Sequence, residues 1–185
     1  MDDIMIIVMG LPGVGKSTVL GIAAKKPDYR IVNYGTLMFG IAKEKFGIAG
    51  RDELRKLDQE KQKIVQAEVG DQLSKMEGKI ILDTHCSIST PSGYLVGLPD
   101  AILEKLKVDS LVYITAPVSE VIARRNSDPT RVRDAEPEKS LQAHDNYNRE
   151  LLLHYSKKTG ASAEIIYNRQ GKLDEAQEKL LSLLK

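Results

Sequence analysis

The sequence predicts an α/β domain in which a five-stranded parallel sheet is flanked by helices. Three observations carry this prediction: short apolar runs rich in β-branched residues, helical periodicity between those runs, and a glycine-rich turn after the first run. Strands that alternate with helices favour a parallel sheet, because each crossover helix returns the chain to the same sheet edge. Ligands bind beyond the carboxyl ends of such strands, so the residues that follow each strand are the candidate functional residues.

Continuous apolar runs indicate strands that are buried on both faces, whereas apolar residues at helical spacing indicate helices. The predicted strands are residues 4–9, 29–32, 79–82, 110–114 and 164–167. The helical patterns are Val65, Val69, Leu73 and Met76, and near the end of the chain Leu173, Ala176, Leu180 and Leu184.

Length and composition narrow the classes of protein. The chain has 185 residues, which suits a single domain. Its 27 Lys and Arg residues nearly balance 26 Asp and Glu residues, so no global charge favours a nucleic acid or a membrane as partner. The only cysteine, Cys86, excludes an internal disulfide. With no basic leader before its first, short apolar run, we expect a cytoplasmic protein.

Two segments interrupt the alternation of strands and helices. Residues 36–78 are far longer than a normal crossover, which predicts an acceptor-binding insertion. Residues 126–137 are polar and punctuated by proline, which predicts a lid. The predicted core of this single domain is therefore residues 1–35, 79–125 and 138–185.

The sequence GLPGVGKS at residues 10–17 matches the phosphate-binding pattern G-x-x-x-x-G-K-[ST] in full. Its glycines let backbone N–H groups converge on phosphate oxygens, and Lys16 reaches the β and γ phosphates. Ser17 offers a hydroxyl to Mg²⁺. A strand precedes the pattern and a helix is predicted after it, which is the context that this motif requires.

Asp83 ends the third predicted strand and is a candidate for orienting Mg²⁺. The alternative is an aspartate that caps the following loop. The chain lacks an N-K-x-D motif and has no D-x-x-G after this strand, which disfavours a GTPase.

Four arginines, Arg124, Arg125, Arg131 and Arg133, lie at the end of a predicted helix and in the lid. Phosphoryl transfer needs positive charge around the moving group, and a lid that excludes water favours a kinase over a hydrolase. The alternative is a solvated surface on which these arginines pair with the acidic residues of the same segment.

Arg51 and Arg55 lie four residues apart in the insertion, so on an α-helix they would face one direction. Together with residues 33–36 they form a candidate pocket for an anionic acceptor. Pairing with neighbouring acidic residues on the helix surface is an equally good interpretation of the spacing.

The segments GLPGVGKSTVL, NYGTLMF, RDELRKL, ILDTH, TPSGYLVGLP, TRVRD and NRQGKLDEA resemble the archaeal-type adenylate kinases along essentially the whole chain. The resemblance implies a P-loop kinase fold with a core, an AMP-binding insertion and a short lid. It also implies the reaction ATP + AMP = 2 ADP with Mg²⁺, and a homotrimer.

Residue by residue, the resemblance implies five sets of contacts, which are with the ATP phosphates, the ATP adenine, the transferred group, Mg²⁺ and AMP. The ATP phosphates would be held by Gly10, Leu11, Pro12, Gly13, Val14, Gly15, Lys16, Ser17 and Thr18, and the ATP adenine would meet Asn168 and Gly171. The transferred group would be met by Lys16, Arg124, Arg131 and Arg133, and Mg²⁺ by Ser17 and Asp83. AMP would be held by Tyr34, Gly35, Thr36, Arg51, Arg55, Thr84, His85 and Tyr94.

One departure from the wider family concerns AMP. Where the common bacterial pattern has D-G-F-P-R, this chain has Asp83-Thr84-His85, so the usual AMP-gripping arginine is absent and Thr84, His85 or Tyr94 replaces it. His85 could instead be an ordinary hydrogen-bonded histidine, and His144 and His154 are interpreted as structural. Because the lid has no cysteine, we expect no zinc.

Two other functions stay open at this point. One is a kinase for another small acceptor, which would need no apolar pocket for a base. The other is a nucleotide-switched assembly factor with an adenylate kinase fold, which would tolerate loss of the lid arginines. Retention of those arginines favours catalysis.

Overall fold

The computed structural model describes residues 3–90, 92–127 and 137–184, and its strands form one sheet and one separate hairpin. The strands are β1 Ile4–Gly10, β2 Tyr29–Asn33, β3 Lys79–Asp83, β4 Ser87–Thr90, β5 Gly93–Val96, β6 Ser110–Thr115 and β7 Ser162–Tyr167. The sheet has five parallel strands in the order β2-β3-β1-β6-β7. The first strand of the chain is therefore the central one.

Helices cover both faces of this sheet. They are α1 Lys16–Leu20, α2 Tyr34–Phe46, α3 Gln59–Ser74, α4 Asp100–Leu103, α5 Val118–Ser127, α6 Glu138–Thr159 and α7 Leu173–Leu183. Two 3-10 helices, Gly21–Lys25 and Arg51–Lys56, follow α1 and α2 respectively.

The side chains of β1 alternate between two hydrophobic clusters, one on each side of the sheet. Met5, Ile7 and Met9 pack with residues of α2, α3, α4 and α6. Ile6 and Val8 pack with residues of α1, α5 and α7. This double burial explains why β1 is apolar at every position instead of at alternate ones.

The structure confirms the predicted fold class, a five-stranded parallel sheet flanked by helices. Every predicted strand is present, and most extend by one residue toward the carboxyl end, so that Gly10 and Asp83 are themselves strand residues. Val65, Val69 and Leu73 lie buried on α3 as their spacing predicts, whereas Met76 lies beyond the end of that helix.

The hairpin of β4 and β5 was not predicted. Its strands are four residues long and pair in antiparallel register between Ser87 and Val96. The hairpin packs against α6, where the Ser87 hydroxyl donates to Asn148 Oδ1 at 2.5 Å. Strands this short, with Gly93 opening the second, give a weak alternating pattern that apolar periodicity does not detect.

The predicted insertion, residues 36–78, contains most of α2, the second 3-10 helix and α3. Ile41 of α2 and Val65 of α3 belong to the same cluster as Ile7 of the central strand. These helices therefore contribute to the main core. The division of the chain into core, insertion and lid stays a prediction.

Within the described ranges, no helix is both long enough and apolar enough to cross a bilayer.

A substitution at Gly97, the residue after β5, tests how closely the backbones pack beside the hairpin. A Cβ at this position would lie 1.9 Å from the backbone oxygen of His85, so Gly97→Ala must displace one of the two backbones. We expect it to lower the free energy of unfolding by about 1–3 kcal/mol. Urea denaturation measures the change.

Gly40→Ala is the matched control for Gly97→Ala. Gly40 lies inside α2, where a Cβ would meet no atom within 4 Å. We expect this substitution to raise the free energy of unfolding by about 0.5–1 kcal/mol, because alanine favours the helix. If Gly97→Ala were as stable as Gly40→Ala, the close approach at Gly97 would be wrong.

Candidate active site

The phosphate-binding motif forms a loop between β1 and α1. Gly13 and Gly15 have φ values of 95° and 82°, in the left-handed region that favours glycine. A Cβ at Gly15 would also lie 2.5 Å from Nδ2 of Asn168. Glycine at position 15 therefore meets two independent requirements, one of backbone conformation and one of space.

Residues distant in sequence hold this loop through its carbonyl oxygens. Val14 O accepts hydrogen bonds from Asn168 Nδ2 at 2.8 Å and from Arg124 Nη1 at 3.1 Å. Pro12 O accepts from Nε and Nη2 of Arg125 at 2.9 and 2.7 Å. The outer carbonyls of the loop are thereby occupied by positive or amide groups, which stiffens the cradle.

Two of these supporting roles were missed by sequence reasoning. The sequence predicts Arg125 as one of four arginines near the transferred group and Asn168 as a contact of the adenine, but neither as a contact of the loop. Arg125 Nε and Asn168 Nδ2 instead bind the backbone of the phosphate loop. The signal that could have revealed Arg125 is its position in the last turn of α5, after the strand next to β1.

Lys16 begins α1 and contacts the end of β3. Its ammonium donates to Asp83 Oδ1 in a short ion pair and to the backbone oxygen of Thr84 at 2.7 Å. Burial lowers the pKa of the Lys16 ammonium, and the Asp83 carboxylate opposes that shift. The structure thus brings the two residues predicted to act on phosphate and on Mg²⁺ into direct contact.

The second oxygen of Asp83 is held by the neighbouring strand. Asn33 Nδ2 donates to Asp83 Oδ2 at 2.9 Å. The parallel register sets Asn33 of β2 and Val8 of β1 opposite Asp83 of β3. The carboxyl-terminal parts of three adjacent strands therefore lie side by side, as expected for the carboxyl edge of a parallel sheet.

The first turn of α2 lies beside this point and carries the predicted acceptor residues. Asn33 caps the helix, since its Oδ1 accepts from the Thr36 backbone N–H at 2.9 Å. Arg51 Nη2 donates to Thr36 Oγ1 at 2.6 Å, which brings these two predicted residues together. Gly35 follows Tyr34 in the same turn.

Tyr34 is buried, and its hydroxyl has no hydrogen-bond partner within the described part of the chain. Burial raises the pKa of this phenol above its usual value. A buried hydroxyl without a partner costs free energy, so a group that binds here and supplies one would gain from it.

The α-helix on which Arg51 and Arg55 would face one direction is not formed. Residues 51–56 form a 3-10 helix, not an α-helix. With three residues per turn, positions four apart are rotated by about 120° instead of being aligned. The side chain of Arg55 lies outside the described part of the structure.

The three residues expected to replace the missing arginine lie in different surroundings. Thr84 is buried, and its backbone N–H donates to Val8 O of β1 at 3.1 Å. His85 is exposed, with Nδ1 3.3 Å from Gly10 O beside the phosphate loop. Tyr94 stacks on His144 and Tyr147 of α6 with ring centroids 4.7 and 4.8 Å away.

A cleft on the other side of the phosphate loop has a volume of about 250 Å³. Its lining residues are Gly15, Thr18, Arg124, Asn168, Arg169, Gln170, Gly171 and Leu173. Both residues predicted to meet the adenine of ATP, Asn168 and Gly171, are among them. The Glu120 carboxylate joins two of the lining residues, because it accepts from Gln170 N at 2.6 Å and from Arg124 Nη2 at 3.1 Å.

Arg131 and Arg133 lie outside the described residues, as does most of the predicted lid. Among the residues that are described, no group of three or more His, Cys, Asp and Glu side chains is arranged to hold a metal ion. The absence of zinc stays a prediction. His144 is buried and lies 2.9 Å from the Ser87 hydroxyl, in agreement with a structural role.

Comparison with known proteins shows relatives over the whole length of the chain. A family model described as an AAA domain matches residues 9–142. An adenylate kinase from Thermoplasma volcanium is 41% identical over 179 residues, which covers 97% of this chain and 98% of that protein. An adenylate kinase from Methanocaldococcus jannaschii is 41% identical over 192 residues and matches 100% of both chains.

Solved structures with low sequence identity share the fold. A shikimate kinase from Bacteroides thetaiotaomicron has a TM-score of 0.61 at 10% identity, covering 99% of each chain. A shikimate kinase from Acinetobacter baumannii in complex with shikimate also has a TM-score of 0.61, at 20% identity, covering 97% of this chain and 92% of that one. At these identities the likeness extends to the fold alone.

Lys16→Ala tests the centre of the site. Removing the ammonium takes away the positive charge at the centre of the predicted phosphate site, so we expect turnover to fall by about 10²-fold or more. Steady-state kinetics measure the loss, and far-UV circular dichroism verifies that the fold is retained.

The matched control for Lys16→Ala is Lys79→Ala. Lys79 also forms a Lys–Asp pair, with Asp28 at 2.7 Å, but at the opposite end of β3. Its loss should leave turnover unchanged. Equal activities of the two variants would remove Lys16 from the chemistry.

Proposed function

The chain belongs to the adenylate kinase family and is a phosphotransferase, and from this premise we propose that it catalyses the Mg²⁺-dependent reaction ATP + AMP = 2 ADP. The observation that carries the proposal is the junction of three elements at one edge of the sheet. Lys16 of the phosphate loop, Asp83 at the end of β3 and the first turn of α2 are connected by direct contacts. A donor site and an acceptor site on either side of this junction suit transfer between two nucleotides.

On the donor side, residues 10–18 bind the phosphates of ATP through backbone N–H groups. The carbonyls of Pro12 and Val14 are held by Arg125 and Asn168, which supports a loop whose backbone is fixed before the phosphates bind. The adenine occupies the cleft beside Asn168 and Gly171, whose volume of about 250 Å³ supports a site for a planar base.

Oxygen donors suited to Mg²⁺ lie at the carboxyl edge of the sheet, where phosphates are expected to bind. The Asp83 carboxylate and the exposed Ser17 hydroxyl are hard ligands of the kind that Mg²⁺ prefers, so the residues fit the ion. Mg²⁺, when bound with ATP, neutralises charge on the β and γ phosphates. Asp83 would orient the ion.

In the transfer step, Lys16 leaves Asp83 and contacts the transferred phosphoryl group. Arg124 adds positive charge at the edge of the loop, where its bonds to Val14 O and Asn168 O hold it. Arg131 and Arg133 complete the charge from the lid, which excludes water as it closes. Because little covalent chemistry is required, positioning and charge supply the catalysis.

On the acceptor side, AMP binds along the first turn of α2 and the adjoining 3-10 helix. Thr36 and Arg51 are both exposed and joined by a hydrogen bond, which supports a shared polar surface. Arg55 binds the AMP phosphate. The other proposed contacts are Tyr34, Gly35, Thr84, His85 and Tyr94. The Tyr34 hydroxyl, which has no hydrogen-bond partner among the described residues, supports its inclusion.

The proposal extends to a cytoplasmic homotrimer. The sequence resemblance supports the trimer, and the lone buried cysteine, which needs no oxidising compartment, supports the cytoplasm. Size-exclusion chromatography with light scattering measures the oligomeric state directly.

A panel of acceptors tests the reaction. We expect AMP to be the preferred acceptor when the purified protein is assayed with ATP and Mg²⁺ against AMP, CMP, UMP, GMP and shikimate. Reactions with EDTA in place of Mg²⁺ are the control and should be inactive. Faster phosphorylation of any other acceptor by about tenfold would overturn the assignment of AMP, and no turnover with any acceptor would favour an assembly factor.

The lid arginines supply a second test. Groups that engage only in the closed complex should affect kcat more than ATP binding. We expect Arg131→Ala and Arg133→Ala each to lower kcat by about 10²-fold or more, with the Kd for ATP changed by less than about tenfold. Arg30→Ala, an exposed arginine on the edge strand β2, is the control. Full turnover in both lid variants would remove them from catalysis.

A further inference from the structure

Asn33 lies between the two halves of the site, and the sequence assigns it only to the candidate acceptor pocket of residues 33–36. It is the last residue of β2 and the N-cap of α2, and it lies opposite Asp83 in the parallel register. Its side chain therefore connects the end of β3 with the first turn of the acceptor helix.

The amide of Asn33 uses both of its ends. Oδ1 accepts from the backbone N–H of Thr36 at 2.9 Å and from its hydroxyl at 3.0 Å. Nδ2 donates to Asp83 Oδ2 at 2.9 Å. A flipped amide would set a carbonyl oxygen against the carboxylate and an NH₂ group against the helix N–H, so the hydrogen bonds fix one orientation.

The bond from Asn33 matters most when the nucleotide is bound. In this structure Asp83 Oδ1 contacts Lys16 and Asp83 Oδ2 contacts Asn33. Once Lys16 turns to the phosphates, the Asn33 amide remains as the contact that holds the carboxylate. A carboxylate held at one oxygen keeps the other directed at its partner, which is the arrangement that preorganised sites require.

The same amide connects Asp83 to the acceptor site. Arg51 donates to Thr36 Oγ1 at 2.6 Å, Thr36 donates to Asn33, and Asn33 donates to Asp83. We propose that Asn33 is a positioning residue for phosphoryl transfer, which aligns the Asp83 carboxylate with the first turn of the acceptor helix. This inference rests on the proposed function. The competing interpretation is that Asn33 serves only as a helix cap.

Asn33→Asp separates the two interpretations. Aspartate is as good an N-cap as asparagine, so α2 keeps its capping bond, but the new side chain cannot donate to Asp83 and adds a negative charge beside it. We expect kcat to fall by about tenfold or more, because a hydrogen bond to a charged group is lost. If Asn33→Asp keeps kcat within about twofold of wild type, Asn33 is a cap and the proposal is wrong.

Asp58→Ala is the matched control for a lost cap. Asp58 caps α3 by accepting from the Lys61 backbone N–H at 2.8 Å. Its removal should lower the thermal midpoint by a few degrees while kcat stays within about twofold of wild type. A large loss of turnover in this variant would show that kcat responds to helix caps in general, which would overturn the inference.

A double-mutant cycle tests whether Asn33 acts through Asp83. Asn33→Ala should lower kcat by about tenfold or more in the wild-type background and by less than about twofold in the Asp83→Ala background. The unfolding free energies of the same four proteins, without nucleotide or metal, should be non-additive in the same sense. Additive losses in both measurements would mean that Asn33 acts elsewhere.

Calorimetric titration of AMP in the absence of Mg²⁺ gives a readout that does not depend on turnover. If Asn33 positions Asp83, Asn33→Asp should change the Kd for AMP by less than about threefold although kcat falls. A loss of AMP affinity as large as the loss of kcat would make Asn33 an acceptor-binding residue and overturn the proposal. Absence of AMP turnover in the wild-type protein would instead be a failure of the proposed function.

Discussion

The contact between the Lys16 ammonium and the Asp83 carboxylate is the interaction on which the candidate site depends. It exists because β1 and β3 are neighbours in the sheet, so that the start of α1 and the end of β3 meet. The register then sets Asn33 of β2 against the same carboxylate. The geometry of donor and acceptor sites thus follows from strand order and pairing, which the buried alternation of β1 side chains in turn maintains.

The strands and the phosphate loop could be predicted because their causes are local. Ile6, Ile7 and Val8 are apolar because both faces of β1 are covered, and a continuous apolar run is visible without knowing the partners. Position 15 needs glycine because its φ value lies in the left-handed region, and the phosphate-binding motif has glycine at this fixed position. Asp83 was found in the same way, as the acidic residue at the end of an apolar strand.

The rest depends on contacts that no local pattern encodes. Arg125 binds Pro12 O and Asn33 binds Asp83 only because separate segments of the chain meet in the folded protein. The spacing of Arg51 and Arg55 suggests an α-helix that is not formed, for a different reason. A run of six residues suits either an α-helix or a 3-10 helix, and the spacing of two arginines does not distinguish between them. The short hairpin of β4 and β5 depends likewise on its contact with α6.

The hydrogen bonds to Val14 determine when, during synthesis of the chain, the phosphate loop becomes supported. The loop that carries Val14 leaves the ribosome early, yet it is held by Arg124, 110 residues later, and by Asn168, 154 residues later. Synthesis proceeds from the N-terminus, so a nascent chain carries an unsupported loop until nearly all of its length has emerged. The phosphate loop therefore gains its full support only once the segment that carries Asn168 has folded against it.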